Sequence, residues 1–473
     1  MGTINSAFSM MSGALDADQS ALSIVANNVA NANTTGYTEE TPNWQENQPI
    51  VIDGVSYGGG VAETGATSVR DRVLEERLDQ QQQLASASGV RLTALNTMQA
   101  LFTPDSGSAS STAGDIGSDL TSFFSSFSSL EANPTDNALR QQVLSTAATL
   151  AGDVSNAAAS LNSQRSALDQ EAAGVTSQVN SLTGAIAQLN QQIQSTSPDA
   201  DAGTLEDQRQ QDLSQLSQLI GINQVTTENN GLSITTTSGQ LLVSEGSSFQ
   251  LTTGMVGGVT DFYLGGTDIT SQLTSGGGEL GGYLTARDQD IPGAVSSLDQ
   301  LAYNVSTQVN ALNNAGTDLD GVSGTAADPL YIFNQPTVVA GSAASMSVTM
   351  TDPGQIAAAG LGKGTGDNSN ATAMANLANQ PIVNAQTPTD YYSNFVTTLG
   401  STVSTVQTEN TAQNASVTQL KTQNDALSSV NLNDEASSMT TLERSYQAAS
   451  QVFTMLDTIM ASALNLGEQS TVS

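Results

Sequence analysis

A mainly α-helical chain with a small β insert (α+β), drawn out as an elongated bundle of long helices with paired ends, is what these 473 residues predict. Three patterns carry the prediction. The two ends bear matching apolar stripes at the alternating four-three spacing of a coiled-coil seam. Near the start these are Ile4, Phe8, Met11, Leu15, Leu22, Val25 and Val29, broken at Asp18. Near the finish they are Leu432, Met439, Leu442, Tyr446, Ala449, Phe453, Leu456, Met460 and Ala463, broken at Glu435. A third seam in the interior runs through Leu161, Leu168, Ala172, Val175, Val179, Leu182, Ile186, Leu189 and Ile193. At 1.5 Å per residue it is a rod of roughly 50 Å.

Each terminal helix presents an apolar ridge that it cannot bury alone, and a single helix of that length is marginal in water. The partner is either the other end of the same chain or a second subunit. Periodicity by itself leaves both open.

Residues 1–61 form the first seam helix and then a polar stretch from Asn27 to Gly65, holding Trp44 and Gly58-Gly59-Gly60, where loops and short extended pieces are expected. Residues 62–221 read as a helical bundle. Leu74, Leu78, Leu84, Leu95, Met98 and Phe102 mark one or two helices, and Ile116, Leu120, Phe123, Phe127 and Leu130 mark a shorter one stopped by Asn133-Pro134. Another starts at Asp136 and runs through Leu139, Val143 and Leu150. The 161–193 rod follows, stopped by Ser197-Pro198, and then a helix capped by Thr204 and ended at Gly221.

Over residues 222–280 the period changes to 2. Leu232, Ile234 and Thr236 alternate, Ser238-Gly239 turns the chain, and Leu241 and Val243 alternate back. Strands are also expected around Phe249-Gln250-Leu251 and Asp261-Phe262-Tyr263-Leu264, completing an antiparallel outer module. Helix resumes at Pro292 within 281–315, a short irregular outer insert occupies 316–360, and 361–430 returns to the bundle. The last seam, 431–473, is set off by a break near 428–433.

Composition narrows the function. There are 45 acids against 11 bases, a net charge of −34, which argues against nucleic acid or an anionic membrane surface as partner. No apolar run reaches the length of a membrane span, so membrane insertion is not expected. The first 69 residues contain no Lys or Arg, and so lack the positive region of a cleavable secretory signal. The chain is therefore expected in the cytoplasm or exported without such a signal. With no cysteine and no histidine it has no disulfide, no thiolate chemistry and no neutral-pH proton shuttle.

No catalytic, cofactor or metal constellation emerges. Gly276-Gly277-Gly278 and Gly281-Gly282 lack the Lys-Ser or Lys-Thr of a phosphate loop and read as a flexible corner. Asp318, Asp320 and Gly321 are half of a calcium loop without its third acid and terminal Glu, and read as a turn. Glu75-Glu76 and Asp434-Glu435 are expected to be solvated or to sit at helix N-termini.

One motif is sharper. Asn27-Asn28-Val29-Ala30-Asn31-Ala32-Asn33-Thr34-Thr35-Gly36-Tyr37 closes the first seam helix, with Asn side chains able to bond backbone groups at the helix end and Gly36 able to turn left-handed. In that position, Asn27, Asn28, Asn31, Thr35, Gly36 and Tyr37 resemble the signature of the flagellar rod, hook and hook-associated axial proteins. Val430-Asn431-Leu432-Asn433-Asp434-Glu435 with Met439, Leu442 and Tyr446 resembles the C-terminal half of the same module. Interior stretches resemble the hook-associated branch that forms the hook–filament junction. They are Leu205-Glu206-Asp207-Gln208-Arg209, Gly281-Gly282-Tyr283-Leu284-Thr285-Ala286-Arg287-Asp288, Asn310-Ala311-Leu312-Asn313, Gly366-Asp367-Asn368-Ser369-Asn370-Ala371 and Asp390-Tyr391-Tyr392. The chain departs from that family at 316–360, where members often carry a larger outer domain.

The resemblance implies a non-catalytic structural part of the bacterial flagellum, extracellular at the hook–filament junction and exported through the type III channel. It implies self-association in a helical axial assembly through Ile4, Phe8, Met11, Leu15, Leu22, Val25 and Val29 with Leu442, Tyr446, Ala449, Phe453, Leu456 and Met460. It also implies contact with hook protein and with a neighbouring hook-associated protein on the filament side, and a cytoplasmic export chaperone on residues 442–464. Two other readings stay open: a hook, distal-rod or filament protein with the same terminal module, and an exported carboxylate glycan hydrolase.

Overall fold

The computed structural model describes residues 2–52, 54–102, 115–196 and 201–468. Helix α1 (Gly2–Asn31) leads into an antiparallel ribbon, β1 (Glu40–Glu46) with β4 (Val61–Ser68), whose tip is the pair β2 (Ile50–Ile52) and β3 (Val55–Tyr57). The polar stretch after the first seam thus holds the expected short extended pieces, paired as two antiparallel segments with irregular residues 47–49 and 58–60 between them. Its alternation is masked in the sequence because both of its faces are largely wet.

Helix α2 (Arg72–Ala100) is a single helix, started by Asp71, whose carboxylate accepts from the backbone N–H of Val73 (3.0 Å) and Leu74 (3.1 Å). Its first half keeps Leu74 buried and Leu78 half-buried, as expected, but departs from the stripe beyond them. Leu84 is exposed, whereas Glu75, Asp79 and Gln83 are buried. Helix α3 (Ile116–Ala132) ends at Asn133 as expected. The two helices expected on either side of Leu150 are one, α4 (Asn137–Thr196), 60 residues and roughly 90 Å long. Ala151, Val154, Ala157 and Ala158, all buried, carry the helix across the join between the two stripes, where alanine is the best helix former. The expected stop at Ser197-Pro198 lies outside the described residues.

Helix α5 (Thr204–Leu219) has Gly203, not Thr204, at its N-cap, and it ends before Gly221. Gly221 serves close packing instead: a Cβ there would lie 1.6 Å from the Gly276 carbonyl oxygen. The β module holds one four-stranded sheet, ordered β5 (Ile222–Thr226), β6 (Leu232–Thr236), β7 (Leu241–Ser244) and β8 (Ser247–Ser248). A three-stranded sheet follows, of β9 (Leu251–Val256), β10 (Val259–Leu264) and β11 (Thr267–Asp268). After the short α6 (Thr270–Thr274), helix resumes earlier than expected, in α7 (Gly278–Thr285). A π turn at Ala286–Asp290 then leads into α8 (Ile291–Ala315). The glycines read as a flexible corner are a tight crossing, since a Cβ on Gly282 would meet the Ala87 carbonyl oxygen of α2 at 2.5 Å.

The segment expected as an irregular outer insert does lack long elements, containing only α9 (Ser342–Ser345) and a 3-10 turn, but it packs inward. Leu330, Ile332, Phe333, Met346 and Ile356 join the bundle core with α3, the first half of α4, and α8. Two buried asparagines of α8 hold it. Asn310 accepts from the N–H of Ile332 and of Phe333 (both 3.0 Å) and donates to Phe333 O (2.9 Å). Asn313 donates to Leu330 O (2.8 Å) and accepts from Ala357 N–H (2.8 Å). Helices α10 (Ser369–Asn376), α11 (Pro388–Ser428) and α12 (Leu432–Glu468) complete the chain. The second half of α4 packs with α5, α7 and the sheets in a second core, so this one helix spans both cores. No helix among the described residues is long and apolar enough to cross a membrane.

Candidate assembly interface at the paired termini

The two terminal helices of one chain pair with each other. Phe8 of α1 and Phe453 of α12 meet with ring centroids 4.2 Å apart, and farther along Ala21, Val25 and Leu442 form a small buried cluster flanked by Leu22 and Met439. The pairing is incomplete. Of the stripe residues, Val25 and Leu442 are buried, while Ile4, Phe8, Met11, Leu15, Leu22, Ala449, Phe453, Leu456 and Met460 are only half-buried. Val29 and Tyr446 are exposed, and so are Val452, Met455 and Ile459, which form a second apolar line along α12. A two-helix contact covers one side of each seam, and in water this leaves an apolar surface available to further copies.

The motif after α1 is built around one amide. Asn28 is 1% exposed and makes four hydrogen bonds. Its Nδ2 donates to Glu40 O (2.8 Å) and to Glu435 Oε1 (2.7 Å), and its Oδ1 accepts from the Tyr37 hydroxyl (2.8 Å) and from Glu40 N–H (3.1 Å). Asn28 thereby ties α1, the start of the ribbon and α12 together. Glu435, which breaks the apolar seam, is its partner rather than a solvated acid. Burial raises the Glu435 carboxyl above its ordinary range, the Asn28 bond opposes this, and Glu39 and Asp434 reinforce it. Burial, and then the charges of Glu40 and Asp207, push the Tyr37 phenol far up.

The other motif residues close the helix. Asn31 donates to Asn27 O (3.0 Å) and Oδ1 (2.9 Å) and accepts from the Thr34 hydroxyl (3.2 Å). Gly36 takes φ +80° with open space around its Cβ position, so its requirement is purely conformational. Thr35 is exposed.

Below this knot the terminal module is tied to the bundle through polar contacts. Glu39 N–H donates to Ser428 O (2.8 Å) and Thr38 N–H to Asp207 (3.1 Å), while Ser68 gives its N–H and hydroxyl to Asp201 (2.7 and 2.9 Å). Arg70 pairs with Asp207, and Arg72 with Glu206 at 2.9 Å. The joint leaves a half-open cavity of about 550 Å³, lined in part by Thr38, Arg70, Glu75, Asp79, Asp207 and Lys421. Burial lifts the carboxyl of Glu75 to about 7 against the pull of Arg70, with Asp79 and Asp207 adding to the rise. Burial likewise lifts Asp79 to about 6, although Gln210 and Gln224 donate to it. Glu75 thus sits in the first turn of α2, as expected of a helix N-terminal acid, but is buried in the joint and not solvated.

The comparisons with known proteins follow the same layout. The family model of the flagellar hook-associated protein FlgK helical domain matches residues 106–327. That of the flagella basal body rod protein matches 10–38, and that of the flagellar basal body rod FlgEFG protein C-terminal matches 424–466. The chain belongs to the flagellar hook-associated family. It is a structural component of the flagellum.

Among the relatives, Flagellar hook-associated protein 1 of Salmonella typhimurium is 25% identical over 96% of this chain and 98% of its own length. The Bacillus subtilis protein of the same name is 26% identical over 96% of each. The Salmonella alignment runs over 553 positions, more than the 473 residues present here, so that relative carries insertions this chain lacks. The solved structure of the flagellar hook junction protein FlgK from Burkholderia pseudomallei superposes with a TM-score of 0.63 at 19% identity, covering 74% of this chain and 99% of that one. This agreement extends to the fold, mainly α with a β insert.

Sequence reasoning found the stripes and the Asn motif but missed the pairing of the ribbon, the Glu75 and Asp79 joint, and Asn28 as its pivot. The available signal was the coincidence of a seam-breaking acid, Glu435, with an asparagine in the opposite seam helix. Asp18, the other break, is buried with one carboxylate oxygen that has no hydrogen-bond partner among the described residues.

Proposed function

We propose that the chain is the adaptor of the hook–filament junction, joined to its neighbours through the terminal helices without catalysis. The observation that carries this reading is the half-covered pairing of α1 and α12: the stripes meet at Phe8 and Phe453, yet Tyr446, Val452, Met455 and Ile459 stay open to solvent. Hook protein lies on one side of the adaptor and a further hook-associated protein on the other. The chain leaves the cell unfolded through the type III channel, with an export chaperone covering residues 442–464 until then. A pair of helices that is only marginal until neighbours cover it keeps subunits apart before they reach the growing tip. Cells lacking this chain are expected to build hooks without filaments, and re-expression restores filaments. Filaments of normal length on hooks without the chain contradict the proposal.

A further inference from the structure

The ribbon and α12 both pack on α1 but hardly on each other, so the terminal module is a slab with α1 in the middle and two unlike outer edges. Both edges are apolar and both are bare. On one, the cross-strand pair Ile50 and Tyr57, with Val55 beside them, is exposed on one face of the ribbon tip. On the other, Met455 and Ile459 are exposed at helical spacing on α12, and Arg444, eleven residues before Met455, shares their face. Arg444 is the sole base of the two terminal helices, is exposed, and has no ion pair among the described residues.

The two edges match in height. The ribbon is registered on α1 where the Val61 carbonyl oxygen lies 3.0 Å from the Cβ position of Gly13. Gly60 lies against Met10, and Tyr57, three residues before Gly60 and four before Val61, stands farther toward the start of α1, by up to about 13 Å from Val61 at the extended rise; that is the length of up to about nine helical residues and brings it level with the stretch from Ile4 to Phe8. Phe8 faces Phe453 across the antiparallel helix pair, so that height on α12 falls near Met455. In the other direction Glu63, two residues after Val61, stands about 7 Å back toward the C-terminal end of α1, near Ala17 and level with Arg444.

We infer that, in the assembled structure, the ribbon tip of one copy docks on the outer face of α12 of the next, with Ile50, Val55 and Tyr57 against Met455 and Ile459 and with Glu63 facing Arg444. The occupant is a second copy of this chain because one molecule carries both halves at matching heights, with opposite charges at the same level. Unlike edges make a head-to-tail contact, which propagates around a ring or helix instead of closing as a dimer. This inference rests on the self-association proposed above and names the surfaces that carry it.

The chain has no cysteine, so engineered pairs report cleanly. In flagella built from a Tyr57→Cys, Met455→Cys double variant, mild oxidation is expected to give a ladder of linked chains, and neither single variant gives any. Dimers from Tyr57→Cys alone or from Met455→Cys alone overturn the docking, as does a double variant that is present in the flagella yet stays unlinked; in that last case self-association stands and only the surfaces are wrong. An Arg444→Glu chain is expected to lose incorporation at least tenfold, and adding Glu63→Arg restores it. Normal incorporation of Arg444→Glu, or failure of the rescue, counts against the contact independently of the cross-linking. A chain absent from flagella even when unaltered refutes the functional reading itself.

Discussion

Asn28 and Glu435 stand 407 residues apart in sequence and share a buried 2.7 Å hydrogen bond, the amide donating to the carboxylate. It joins the two terminal helices at the point where each leaves its apolar seam. Replacing Asn28 with Asp puts a second carboxylate where the donor was and strands Glu435 and Glu40 O. Leaving such groups unsatisfied costs roughly 1–3 kcal/mol. The expected outcome for Asn28→Asp is faster amide exchange in α1 and α12 with unchanged protection in α3 and the first half of α4. Equal protection throughout would show that the bond does not hold the module together.

Glu75 makes the joint sensitive to pH. In the folded chain its carboxyl keeps a proton up to about pH 7, whereas an unfolded glutamic acid releases it near 4.3, as an approximate reference. Between those values the folded state binds more protons, so stability falls as pH rises. Glu75→Gln removes the charge without removing the side chain. It is expected to gain on the order of 2–3 kcal/mol at pH 8 and nothing at pH 4. Thermal unfolding of both proteins across that range checks it, and parallel curves would mean that Glu75 titrates as a solvated acid.

Phe453→Asp and Met455→Asp separate pairing within a chain from association between chains. Phe453 touches Phe8 of its own chain, so a charge there should both loosen α1 from α12 and abolish incorporation into flagella. Met455 is 60% exposed, and a surface change of this kind shifts monomer stability by no more than about 0.5 kcal/mol. Incorporation of Met455→Asp is nevertheless expected to fail. Circular dichroism on the secreted chain and immunoblots of purified flagella give the two readouts. Incorporation of both variants at normal levels would remove the apolar seam from the account.

Much of this was readable from the residues. Helices with a long apolar period, such as α3 and the two terminal helices with their single breaks at Asp18 and Glu435, fall where Phe123, Phe8 and Phe453 place them, because burial of one face decides a helix. The β6–β7 hairpin followed from the alternation of Leu232, Ile234 and Thr236. Elements whose cause lies far away in sequence were not readable. The ribbon is wet on both faces, so no alternation marks it. The first half of α2 buries Glu75, Asp79 and Gln83 because Arg70 meets Glu75, Gln210 and Gln224 meet Asp79, and the Ile222 backbone meets Gln83; all of these but Arg70 lie over a hundred residues away, where no local pattern announces them. Gly221 looked like a helix end and is a contact between two loops. At the candidate interface the stripe residues were legible one by one, but which were left half-covered depended on the geometry of pairing.

The central claim is position in the flagellum. An antibody raised against the β module, residues 231–266, should mark isolated intact flagella by immunogold as a single band where hook meets filament. Gold spread along the hook or the filament would contradict the junction reading while keeping an axial assembly, and accessible flagella with no gold at all would contradict both.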